Sequence, residues 1–175
     1  MGTAVIPPPA VLVAGVLWGD EDALARARSL AQKAFGPVVA QSDPFPFDPF
    51  TSYYAREMGD GLFRCHWCFE HPVPRGALAE LKLTSNLLEA AVSEGGPRRV
   101  NLDPGLLTAE SLVLATTKPY SHRIYLGKGI YAEVTLIRRR DGYEPMPWTY
   151  PDYRDERTLR FLEGVRSRML GKKKR

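Results

Sequence analysis

The chain has 175 residues, 44% of them hydrophobic and 25% charged, which suits one globular domain large enough to bury a sizeable core. Its net charge is +4, but Lys172, Lys173, Lys174 and Arg175 carry that charge by themselves, so the body is formally neutral and strong attraction to a nucleic-acid backbone is not expected. The apolar run Val11–Trp18 is too short to span a bilayer and residues 1–10 lack the basic start of a secretory signal, so the expectation is a cytoplasmic protein without a membrane segment.

Ile6-Pro7-Pro8-Pro9 makes residues 1–10 an extended lead-in, because consecutive prolines cannot donate to a helix or a ladder. Val11–Trp18 reads as a buried strand. Asp20 or Asp22 then caps a helix carrying Leu24, Ala27, Ala31 and Ala34, which Gly36-Pro37 stops before a second strand over 38–41. Ser42 to Asp48 reads as an irregular crossing whose phenylalanines pack onto the domain. Tyr53, Tyr54, Glu57 and Met58 follow on a short helix between Thr51 and Gly59, either as a packing lid or as the wall of a pocket.

Residues 62–70 (LFRCHWCFE) form a third strand, on which Cys65 and Cys68 point to opposite faces. Buried, reduced thiols are therefore expected rather than a metal or redox pair. A long helix over 74–92 places Leu78, Leu81, Leu88 and Val92 on one face and Lys82, Asn86 and Glu89 in a row on another. Such a row is ordinarily solvated and matters only if it turns towards the hairpin that follows. Arg99 to Asp103 begins a fourth strand that runs into an Asp-Pro-Gly turn at Pro104-Gly105.

Residues 110–115 fit a short helix or strand. Ser121 to Leu126 and Ile130 to Ile137 alternate with period two around Gly127-Lys128-Gly129 and form a hairpin. With Leu126 opposite Ile130, Arg123 faces Glu133, and Tyr125, Tyr131 and Thr135 share that polar side. Pro145 to Tyr153 reads as an arm hiding Trp148 and Tyr150, and a helix from about Asp155 to Leu170 follows, with Leu162, Val165 and Met169 as its stripe. The order predicts an α+β fold: a ferredoxin-like β-α-β-β-α-β core with an added hairpin, a proline and aromatic arm and a C-terminal helix, as one domain over 11–170 before the basic tail 171–175. A doubly wound α/β domain is the alternative, but it needs more helical crossovers than the sequence offers.

The run VNLDPGLLTAESLVLATTKPYSHRIYLGKGIYAEVTL, with FDPFTSYYAREMG, ELKLTSNLLE and PWTYPDYR, resembles the family called domain of unknown function DUF4416. The resemblance covers nearly the whole chain from Val11 to Leu170 and implies no reaction, cofactor or partner. Neither the Cys65-His66-x-Cys68 segment nor the basic tail belongs to the pattern.

These stretches are polar in a way that packing alone does not require. They supply carboxylates in Asp48, Glu57, Asp103 and Glu133, cations in Lys82, Lys118, Arg123 and Lys128, and an imidazole in His122. The leading expectation is a pocket for a phosphorylated or otherwise anionic small molecule, held by Lys118 and Arg123 with Lys82, Lys128 and Tyr54 around it. Asp103 and Glu133 would hold a divalent cation such as Mg²⁺, and His122, Asp103 and Glu133 would carry phosphoryl or nucleotidyl chemistry. In a regular strand His122 points away from Arg123, so the two share a site only if the strand begins after His122 or bends there. The alternative is a binding module without chemistry, for RNA stacked on Phe63, Trp67 and Tyr125 or for a protein partner on the arm.

Overall fold

Strands, helices and turns fall in the order β1 (Val11–Trp18), α1 (Glu21–Phe35), β2 (Val38–Gln41), β3 (Phe45–Pro46), α2 (Ala55–Met58), β4 (Phe63–Phe69), α3 (Leu78–Ser93), β5 (Val100–Leu107), β6 (Ser111–Thr116), β7 (Ile124–Gly127), β8 (Ile130–Arg138), β9 (Tyr143–Pro145), α4 (Pro151–Arg154) and α5 (Glu156–Gly171). This is a computed structural model that describes residues 2–171, so the basic residues 172–175 of the expected tail lie outside the described residues. The class is α+β, as expected: the described residues form five α-helices and one antiparallel sheet of nine strands in the order β2-β4-β1-β5-β6-β8-β7, with β3 on β4 and β9 on β8.

Alternation along β1 divides the core. Leu12, Ala14, Val16 and Trp18 face α1 and α3 and join Ala23, Ala27, Ala31, Leu78, Leu81 and Val92 in one apolar layer. Val13 faces the opposite way and packs with Cys68, Leu107 and Leu136 beneath Leu162 and Val165 of α5. Leu17 continues that second face beneath Phe47 and Leu62. Both sheet faces are thus covered, and each large aliphatic side chain buried in them contributes about 1.5–3 kcal/mol.

Local chemistry explains the element ends. Asp20 caps α1, its Oδ1 accepting from the backbone N–H of Asp22 at 2.9 Å and of Ala23 at 3.3 Å. Gly59 closes α2 at φ 83°, and the Asp48 carboxylate closes the loop ahead of β4 by accepting from the N–H groups of Gly61 and Leu62. Cys65 and Cys68 sit buried in different layers, as the strand alternation requires, and neither is in a disulfide.

Three expectations are corrected. Pro104-Gly105 is not a turn: both lie inside β5, with Pro104 opposite Ala14 of β1. The hairpin register slips by one beyond Tyr125, so Gly127 rather than Leu126 faces Ile130, while Ile124 still faces Ala132. The strand lies at the sheet edge with Ile124 and Leu126 exposed, so its apolar side covers nothing. Tyr150 is also exposed, at 47%, although the arm does secure Trp148, whose Nε1 donates to the Val134 carbonyl at 2.9 Å.

Candidate functional site

The site begins with a proline. β5 pairs with β1 over its whole length but with β6 only at Gly105, Leu106 and Leu107. Pro104 has no N–H to give a neighbour, so the β5–β6 ladder ends there and β6 continues on β8 alone. A wedge opens between β5 and β6. On its β5 side, the Leu102 N–H donates to Glu89 Oε1 at 2.8 Å and the Leu102 carbonyl accepts from Lys82 Nζ at 3.0 Å. The helix row of Lys82, Asn86 and Glu89, expected to be solvated, instead faces this wedge, with Lys82 and Glu89 each 6% exposed.

On the second face the strand registers set three rows: Arg64, Leu17 and Asn101; His66, Gly15 and Asp103; and Leu114 between Gly105 and Glu133. Gly15 leaves a notch in the middle row. A Cβ there would lie 2.4 Å from the Tyr153 hydroxyl and 3.1 Å from Arg64 Nη1, so the absence of a side chain is what admits both. Around these rows lies a cleft of about 720 Å³. Phe47, Phe50, Tyr53 and Tyr54 form its aromatic wall, α3 a polar wall, and Thr116–Lys118, Arg123 and Tyr150–Tyr153 the rest.

Arg64 is the central cation of this cleft and was not singled out in the sequence. It is 4% exposed, its Nε donates to Asp152 Oδ2 at 2.8 Å, and its Nη2 lies 2.7 Å from the same oxygen. Its Cζ lies 5.4 Å from the ring centres of Phe47 and of Tyr153. Burial works against its charge, but Asp152, Tyr153 and Asp103 more than offset this and hold the guanidinium protonated. Nη1 has Asp103 Oδ2 at 3.6 Å and no hydrogen-bond partner, and the Tyr153 hydroxyl has none either. The signals were present: an arginine inside an otherwise aromatic strand, and a glycine inside an apolar one.

Asp103 is held by Lys82 Nζ at 3.4 Å and by the Asn101 side-chain amide at 2.6 Å. Burial pushes its carboxyl up, but Lys82, Arg64 and Asn101 together hold it below the usual carboxylate value. Glu89 goes the other way: burial raises it, against the pull of Lys82. Across the wedge, Glu133 Oε2 meets Arg123 Nε at 2.8 Å and His122 Nε2 at 2.9 Å. The expected Arg123–Glu133 pair is present, and because β7 begins at Ile124 His122 joins it, stacked 4.7 Å from Trp148. Glu133 Oε1, in a residue 2% exposed, has no partner.

The expected residues therefore divide. Asp103, Glu133, Lys82, Lys118, Arg123 and Tyr54 line the cleft, and His122 touches it through Glu133. Lys118 reaches the Tyr53 hydroxyl across the cleft mouth, while Arg123 Nη1 donates to the Lys118 carbonyl and Nη2 to the Tyr150 hydroxyl. Lys128 does not line it: it pairs with Glu80 on the exposed side of α3. As for a cation, Asp103 and Glu133 each face their own basic groups, and among the described residues no cluster of three or more His, Cys, Asp or Glu side chains is placed to hold a metal. His66 is wholly buried between aromatic rings, and burial together with Arg64 holds its imidazole neutral. Trp67 is likewise wholly buried, so it offers no stacking platform.

The fold and this site define a mixed α+β protein whose single large sheet splits around a charged cleft. The model of the family described as domain of unknown function (DUF4416) matches residues 8–169, and the chain belongs to that family. No curated protein and no solved structure matches it.

Proposed function

We propose that the protein binds a small anionic molecule, a phosphate or a carboxylate, in the cleft between α3, the β5–β6 wedge and the Tyr150–Tyr153 arm. The observation that carries this reading is the buried Arg64: a charged guanidinium with an unbonded Nη1, beside a Tyr153 hydroxyl equally without a partner. Unbonded buried polar groups cost about 1–3 kcal/mol each, and a ligand oxyanion would satisfy both at once. A cleft of about 720 Å³ is of metabolite size. Residues from all four stretches that carry the family resemblance line it. The order β2-β4-β1-β5, with α1 and α3 in one layer, supports reading the inner strands as ferredoxin-like, with β6–β9 as the addition that creates the site. Reduced, buried thiols suit a reducing compartment, the cytoplasm.

The test is thermal unfolding against inorganic phosphate, sugar phosphates, nucleotides and simple carboxylates, each with and without Mg²⁺. A ligand at 100 times its dissociation constant adds about 2.7 kcal/mol. Tyr153→Phe removes a hydroxyl that nothing in the fold uses, so it is expected to leave unliganded stability unchanged or raised and to weaken the ligand about tenfold. A panel with no shift in any arm would overturn the reading. A shift that requires Mg²⁺ would favour metal-assisted phosphoryl chemistry in which the metal enters on the ligand phosphate, since Asp103 and Glu133 are each engaged by basic groups, with His122, 2.9 Å from Glu133, as the proton carrier.

A further inference from the structure

Of the residues that line the cleft, Glu133 carries a buried acceptor without a partner, as Arg64 and Tyr153 carry buried donors without one. Glu133 Oε1 is buried and bonded to nothing, although Oε2 of the same carboxylate takes both Arg123 and His122. It lies on a different row of the second face from Arg64, so one ligand atom is not asked to satisfy both. The overall charge of the lining points the same way. Arg64, Lys82, Arg98, Lys118 and Arg123 are matched in number by Glu57, Glu89, Asp103, Glu133 and Asp152. A site evolved for a polyanion such as a nucleoside triphosphate or a nucleic-acid backbone carries surplus positive charge, and this one does not.

From this balance we infer that the ligand is a zwitterion: one oxyanion, seated on Arg64 Nη1 and the Tyr153 hydroxyl, and one protonated amine, seated on Glu133 Oε1. The inference rests on the anion-binding reading and adds to it a second recognition point at the far side of the wedge. A planar guanidinium fork suits a carboxylate or phosphate, and a carboxylate oxygen with an open lone pair suits an ammonium N–H. The aromatic wall of Phe47, Phe50 and Tyr54 then covers the carbon skeleton between the two ends.

Matched probes separate the two ends. Thermal unfolding is followed with a series of ω-amino carboxylates of increasing chain length, their N-acetyl derivatives and the corresponding amine-free acids, and with O-phosphoethanolamine beside ethyl phosphate. The expected result is that one amine-bearing probe binds at least about tenfold more tightly than its acetylated and amine-free counterparts, the size of one charge-assisted bond. Whether the carboxylate or the phosphate arm responds identifies the oxyanion. In Glu133→Gln that preference should vanish while the amine-free probes keep their response. Equal binding of amine-bearing and amine-free probes to the unaltered protein would overturn the zwitterion inference and leave the anion site standing, and this comparison needs no variant to fold. A preference that survives Glu133→Gln would likewise overturn it. No shift by any probe would remove both readings.

Discussion

At the scale of single residues, the site depends on charges that cannot be removed one at a time. Arg64 and Asp152 are both almost fully buried and bonded to each other, so truncating either strands the other in a dry environment. Asp152→Ala and Arg64→Met are each expected to cost about 3–5 kcal/mol in urea unfolding, and the double variant clearly less than their sum. Asp103 makes a pH prediction. Its folded value is depressed, so its contribution is present above the usual 3.8 and is lost as pH falls through the lower folded value. The stability difference between the unaltered protein and Asp103→Asn, measured by urea unfolding at stepped pH, should therefore be largest near neutrality and shrink below about pH 4. A difference that grows on acidification would mean that Lys82 and Arg64 do not stabilise the carboxylate. Sequence reading reached Glu133, Arg123 and His122 because the polar hairpin advertises them, and Asp103 because it stands before Pro104-Gly105 in the same polar run. It missed Arg64 and Asp152 because their bond joins residues 88 apart, a separation that local spacing does not encode.

At the scale of elements, periodicity carried most of the assignment where one face of a strand or helix is buried. α1, α3, α5 and β8 all lie where their apolar spacing places them, whereas β7, whose apolar side is exposed at the sheet edge, starts later and pairs in a shifted register. Pro104-Gly105 defeated that logic, since proline and glycine together ordinarily mark a turn. Here each has a separate role in a strand: Pro104 ends the ladder to β6, and Gly105 lets β6 approach. A Cβ on Gly105 would lie 2.6 Å from Leu114 Cδ2 and 3.2 Å from the Val113 carbonyl oxygen. Gly105→Ala is expected to destabilise by about 1–3 kcal/mol, through overpacking rather than backbone strain. A neutral effect in chemical unfolding would show that β6 can retreat without loss. The α3 row shows the complementary lesson. Its spacing identified three side chains on one face, but only the splayed sheet decides that this face looks into a cleft.

At the scale of the whole molecule, the two cysteines lie in the two layers that cover the sheet, and neither lines the cleft. Burial pushes the Cys65 thiol up to about 12, and Cys68 is 6% exposed beneath the other layer. A thiol-specific chromogenic reagent at neutral pH is therefore expected to label neither cysteine until the protein unfolds, with labelling following the unfolding transition. Rapid labelling of the folded protein would mean that β4 opens locally. Among the described residues no helix is long and apolar enough to cross a membrane.

The wedge has one more consequence. A strand that loses its neighbour partway along presents open backbone groups, and such an edge is the template on which a further strand, from another molecule or from a misfolding one, can add. In β5 that template lies inside the protein, and Glu89 and Lys82 occupy its Leu102 positions with side chains that cannot propagate a ladder. The same two residues that shape the cleft thus also satisfy the backbone groups that the missing β6 pairing leaves open, so replacing both with apolar side chains would strand a buried N–H and a buried carbonyl at Leu102.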